Sequence, residues 1–228
     1  DAAAVLGVLG LLGGLVVPEL IRRIPEPAQP AADKEPYADI GRRRGLRWRS
    51  SLAAGLASAS MAAVLGWSWS LPFLLYLAVV GTALAVVDWR TRLLPTKVVA
   101  PSYAVVGGLV LLAAGLDRAG DDLLRSLAGW AVSGGLFWLM WRVYPRGMGY
   151  GDVRLSGVLG IALGYLGWGE LLLGVYSGFI LGALVGTLLS LLRLVDRKAY
   201  PFGPFMLLGA WVGVLLGQWV WDLYLGTL

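Results

Sequence analysis

Long apolar runs separated by short polar connections dominate the chain. A helix needs about 20 apolar residues to cross the roughly 30 Å hydrocarbon core of a bilayer. Eight stretches meet or approach that length: Ala2–Ile21, Leu52–Trp69, Leu71–Val87, Val98–Leu116, Leu123–Val143, Val153–Leu166, Leu171–Leu192 and Phe205–Leu225. The sixth is short, and Gly167-Trp168-Gly169-Glu170 marks where it parts from the seventh. The pattern predicts an all-α, polytopic membrane protein, with about eight transmembrane helices in a bundle and residues 1–228 forming one integral-membrane domain. Arg22–Ser50 is the one long polar connection. Pro25, Pro27, Pro30 and Pro36, with the basic run Arg42-Arg43-Arg44, predict a mostly irregular loop that buries no core.

Composition narrows the chemistry. Of 228 residues, 58% are hydrophobic and 14% charged, against about 25% charged in soluble domains. Disordered, collagen-like and disulfide-scaffold classes are excluded. Cysteine and histidine are both absent. That removes Cys/His zinc sites, cysteine nucleophiles and imidazole-based triads. Acid–base work near neutral pH falls to the 14 carboxylates, with Lys and Tyr behind them.

The charges are distributed unevenly. Of the 19 basic residues, 17 fall in Arg22–Ser50, Asp88–Lys97, Arg142–Arg154 and Arg193–Lys198, leaving only Arg118 and Arg125 on the other side. The positive-inside rule puts the larger set in the cytoplasm and both termini outside. The basic residues then set topology and meet anionic headgroups. The lipid bilayer is a partner and nucleic acid is not. Asp1 precedes the first apolar run and Arg22-Arg23 follow it, so that run reads as a retained span rather than a cleaved signal. Nothing in the pattern specifies an oligomeric state.

Glycines recur every four residues at Gly174, Gly178, Gly182 and Gly186, at Gly209, Gly213 and Gly217, and at Gly160 and Gly164. Such spacing makes flat helix faces that pack closely in lipid. Carboxylates at the membrane are costly and default to functional candidates. Asp117, Asp121 and Asp122 read as an outward loop, Asp33, Glu35 and Asp39 as part of the cytoplasmic loop, and Glu170 and Asp222 as outward edges. Of the others, Asp88 and Asp152 are the two that flank apolar runs at the same cytoplasmic edge. Two such acids brought together share a proton and titrate as a unit. One can take a proton from water while the other polarises a scissile carbonyl. A helix N-terminal position nominates Asp152 as the base. The residues alone leave three alternatives. Asp152 could cap a helix while Asp88 pairs with Arg90 or Arg92. The two acids could be the proton sites of a proton-coupled transporter. The glycine faces could belong to a structural subunit.

Gly149-Tyr150-Gly151-Asp152 resembles the GxGD motif of membrane-embedded aspartyl proteases, and more narrowly the bacterial type IV prepilin peptidases. Asp88-Trp89-Arg90-Thr91-Arg92-Leu93-Leu94-Pro95, Pro201-Phe202-Gly203-Pro204 and Arg22-Arg23-Ile24-Pro25 are similar to further segments of that family, in the same order. The resemblance implies a hydrolase of the bacterial cytoplasmic (inner) membrane that acts on the basic leader of a prepilin or pseudopilin. It cuts after a glycine at the cytoplasmic face, just before the substrate's apolar helix. Asp88 and Asp152 match the catalytic aspartates. Gly149 and Gly151 match the loop beside the scissile peptide, and Pro95, Pro201, Phe202, Gly203 and Pro204 match supporting positions. Proteolysis of this type uses no metal and no cofactor. Many members also carry paired cysteines after the first span, associated with N-methylation of the new terminus from S-adenosylmethionine. This cysteine-free chain puts that second activity and its cofactor in question. Thr96 stands where the family often has Asp or Asn.

Overall fold

In hydrocarbon every backbone N–H and C=O must be satisfied internally, and a helix does so within one segment. The computed structural model describes residues 1–26, 34–192 and 201–226. Pro27, Pro30, Asp33 and the connection Arg193–Lys198 lie outside the described residues. All regular structure among the described residues is helical: α1 (Ala2–Arg22), α2 (Tyr37–Gly41), α3 (Leu46–Leu65), α4 (Leu71–Thr91), α5 (Thr96–Asp117), α6 (Gly120–Val143), α7 (Tyr150–Leu166), α8 (Trp168–Leu191) and α9 (Gly203–Leu225). The chain is a multi-pass membrane protein. The eight long helices correspond to the eight expected spans, and six of them (α1, α4, α5, α6, α8 and α9) are long and apolar enough to cross a membrane. The other two differ for visible reasons. α3 carries Arg47, Arg49 and four serines, and α7 has only 17 residues.

α7 is short because protein surrounds it. Leu155, Val158, Leu159, Ala162 and Leu163 are buried in the main core, which Phe73 and Leu74 of α4, Val106 and Val110 of α5, Phe137 of α6 and Met206 of α9 also build. α1 packs on α3, α6 on α7 and α8 on α9. Small residues allow these approaches. Ser50 Oγ donates to the Gly14 carbonyl and Ser51 Oγ to the Leu11 carbonyl, each at 2.8 Å. Gly209 and Gly213 of α9 face the backbone at Gly174 and Gly178 of α8.

Several boundaries move. α3 begins at Leu46 rather than Leu52, and α4 runs past Val87 to Thr91, so Asp88 lies inside a helix. Only Gly167, with extended backbone, separates α7 from α8. The Arg22–Ser50 connection, expected to be mostly irregular and coreless, carries α2 and the first turn of α3. Its Tyr37 and Ile40 are buried with Val17, Ile21, Ala83 and Val87. Two carboxylates hold it in place: Tyr37 N–H donates to Glu26 Oε1 at 2.6 Å, and Arg43 pairs with Glu35 at 2.8 Å. Burial first, then the charge of Glu26, raises the Tyr37 phenol above its ordinary pKa, opposed by a hydrogen bond with Thr91.

Candidate functional site

Asp88 lies on the last turn of α4. That helix stops at Arg92, whose left-handed backbone (φ 54°) lets its N–H reach the Asp88 carbonyl at 2.7 Å. The Asp88 side chain is 4% exposed, and its Oδ2 accepts from the N–H of Gly203, the first residue of α9, at 2.9 Å. The first turn of a helix leaves its N–H groups without intrahelical partners, and Asp88 satisfies one of them. Asp152 is the third residue of α7 and 8% exposed. Its Oδ2 accepts from the Gly149 N–H at 3.2 Å, which is the acidic half of a capping box. The alternative in which Asp152 is itself the cap residue is met only in altered form: Gly149 occupies the N-cap, and Asp152, three residues on, reaches back to its N–H. The alternative pairing of Asp88 with Arg90 or Arg92 is not seen: no ion pair involves Asp88 among the described residues. The Oδ1 atoms of both acids carry no hydrogen bond among those residues.

The two carboxylates lie within electrostatic range of each other. Leu94, in the connection between α4 and α5, lies against both neighbourhoods. A Cβ added at Gly151 would come 2.8 Å from Leu94 Cβ, and one at Gly203 would come 3.3 Å from Leu94 Cδ2 and 2.8 Å from Asp88 Oδ2. Glycine at these two positions is thus explained by contacts inside the protein. Pro95 follows Leu94 and begins α5, its carbonyl accepting from Val98 and Val99 N–H at 3.0 Å. Phe202 precedes α9, with its ring 5.4 Å from that of Phe179 and 6.1 Å from that of Phe137. Pro201 and Pro204 are buried on either side of Phe202 and Gly203, and Gly149 is exposed at the mouth of α7. All nine residues singled out in the sequence therefore belong to three converging segments: the end of α4 with the α4–α5 turn, the start of α7 and the start of α9.

Other residues join them without a sequence signal. Lys34 lies within electrostatic range of Asp88, although a lysine in a proline-rich stretch has no periodicity to mark it. Arg154 bonds Thr96 Oγ1, and its guanidinium sits 4.7 Å from the centre of the Tyr150 ring. The Tyr103 hydroxyl donates to the Arg154 carbonyl at 2.7 Å. Together they fix the first turn of α7 to α5. Glu170, expected at an outward edge, is instead 4% exposed, with Oε2 lacking a hydrogen-bond partner among the described residues. It lies at the start of α8, beyond the far end of α7 from Asp152. No group of three or more acidic side chains is placed to hold a metal ion among the described residues.

Comparison with known proteins gives this geometry a family. The model of the type IV leader peptidase family matches residues 75–191, which contain both acids and Leu94. The chain belongs to that family. It is 33% identical over 177 residues to the prepilin leader peptidase/N-methyltransferase of Aeromonas hydrophila, covering 76% of this chain and 59% of the relative. It is 31% identical over 191 residues to the protein of the same name from Pseudomonas aeruginosa, covering 82% and 63%. The Escherichia coli relative is 35% identical over 143 residues, covering 62% and 60%. The chain thus spans about 60% of the length of these relatives. No solved structure matches it significantly.

Proposed function

We propose that this member of the type IV leader peptidase family is an aspartyl endopeptidase. It removes the basic leader of a type IV prepilin or pseudopilin, cutting after a glycine at the cytoplasmic face of the inner membrane. The observation that carries the reading is the pair Asp88 and Asp152: two buried carboxylates in electrostatic range, each tied by one oxygen to a backbone N–H. In the proposed reaction one carboxylate takes a proton from water as the water oxygen bonds to the scissile carbonyl carbon. The other, protonated, donates to the carbonyl oxygen. Collapse breaks the C–N bond, and the departing nitrogen receives a proton from the pair. Both acids contact the N-terminus of a helix, Asp152 that of its own α7 and Asp88 that of α9. The helix dipole therefore does not select which acid is the base. Because one form of each is required, cleavage should follow a bell-shaped pH profile that belongs to the pair.

The test is co-expression with a candidate prepilin. Asp88→Asn and Asp152→Asn should each abolish leader removal with the protein still present in the membrane, and cleavage by the unaltered chain should persist in EDTA. Normal processing by either variant would overturn the proposal, and proton flux in vesicles without leader removal would favour a carrier. The mass of the product's new N-terminus, with S-adenosylmethionine supplied, separates a peptidase alone from one that also methylates.

A further inference from the structure

A groove of about 770 Å³ runs between α3, α4 and α9 with α7 at its floor. Its shaft is apolar, lined by residues such as Ala57, Leu77, Ala78 and Leu207. One end is basic, with Arg43, Arg44, Arg49 and Arg90 around it, next to Trp89 and Pro204 of the site segments. Arg43 is engaged by Glu35. Arg44, Arg49 and Arg90 are exposed and form no ion pair among the described residues. The groove therefore has a charged head and an oily body, with the head on the side that the basic loops place in the cytoplasm.

Its charge decides between occupants. Under the proposed function a basic leader would meet like charge here, whereas an anionic headgroup would meet opposite charge at the basic end and its acyl chains an apolar body. We propose that the groove holds an anionic phospholipid of the cytoplasmic leaflet. Its phosphate lies among Arg44, Arg49 and Arg90, and its acyl chains lie along α3, α4 and α9.

The lipid-retention measurement needs no peptidase substrate, so its outcome is independent of the proposed reaction. The full chain is extracted from phosphatidylcholine vesicles containing a minor share of phosphatidylglycerol, and retained lipid is read by native mass spectrometry. Phosphatidylglycerol should be retained in preference to phosphatidylcholine. Two surface charges contribute about 1 kcal/mol each near anionic lipid, so Arg44→Gln with Arg49→Gln should weaken retention about 30-fold at 1.4 kcal/mol per decade. Ala78→Trp should remove retention with every charge in place. The arginine variants alter exposed side chains, so the test survives if Ala78→Trp fails to fold. Equal retention of the two lipids, or unchanged retention in the arginine variant, would overturn the proposal. So would a photo-crosslinker at Leu77 that couples to a prepilin helix in preference to lipid.

Discussion

Gly203 has no room for a methyl group. Its backbone is not in the left-handed region, so alanine is allowed there conformationally, but the added Cβ would lie 2.8 Å from Asp88 Oδ2. The carboxylate must then move while the fold persists. Displacements of about 1 Å at a reacting group cost on the order of 10²-fold in rate. Gly203→Ala should therefore lower prepilin cleavage by about that factor, with the melting temperature nearly unchanged. Tyr37 gives a pH signature of a different kind. Its folded pKa is raised above 10.0, so the folded state holds its proton longer than the unfolded chain does. The resulting stability is complete below about pH 10 and is lost as pH rises from there through the folded value. Thermal unfolding in a detergent titration should show this alkaline loss, and Tyr37→Phe should reduce it.

At the level of helices, the same residue type has opposite consequences by position. A Cβ at Gly209 would fall 2.6 Å from Gly178 Cα, whereas one at Gly108 meets nothing within 4 Å among the described residues. Gly209→Val should destabilise the α8–α9 pair by about 1–3 kcal/mol, and Gly108→Ala should stabilise α5 by about 0.5–1 kcal/mol, both read by denaturant unfolding. The four-residue glycine spacing made these packing faces legible in the sequence. So did the apolar runs behind the eight long helices and the motifs around Asp88 and Asp152. The start of α3 was hidden because Arg47 and Arg49 look like loop. α2 was hidden because five residues carry too little periodicity to detect. The burial of Tyr37 and Ile40 depends on α1 and α4, which are distant in sequence. Glu170 read as an edge residue because its burial comes from α9: Gly217 packs against its backbone.

For the whole molecule, orientation is the property most open to direct test. The absence of cysteine makes single-cysteine labelling free of background. In intact cells a membrane-impermeant maleimide should react with Asp1→Cys and Trp67→Cys, and with Arg146→Cys only after permeabilisation. The reverse pattern would put both acids on the outer face. Within that frame, Leu94 acts as a peg shared by two sockets, one beside Gly151 and one beside Gly203. The surroundings of both acids thus share one support, carried by a short stretch of chain that belongs to neither helix bearing them.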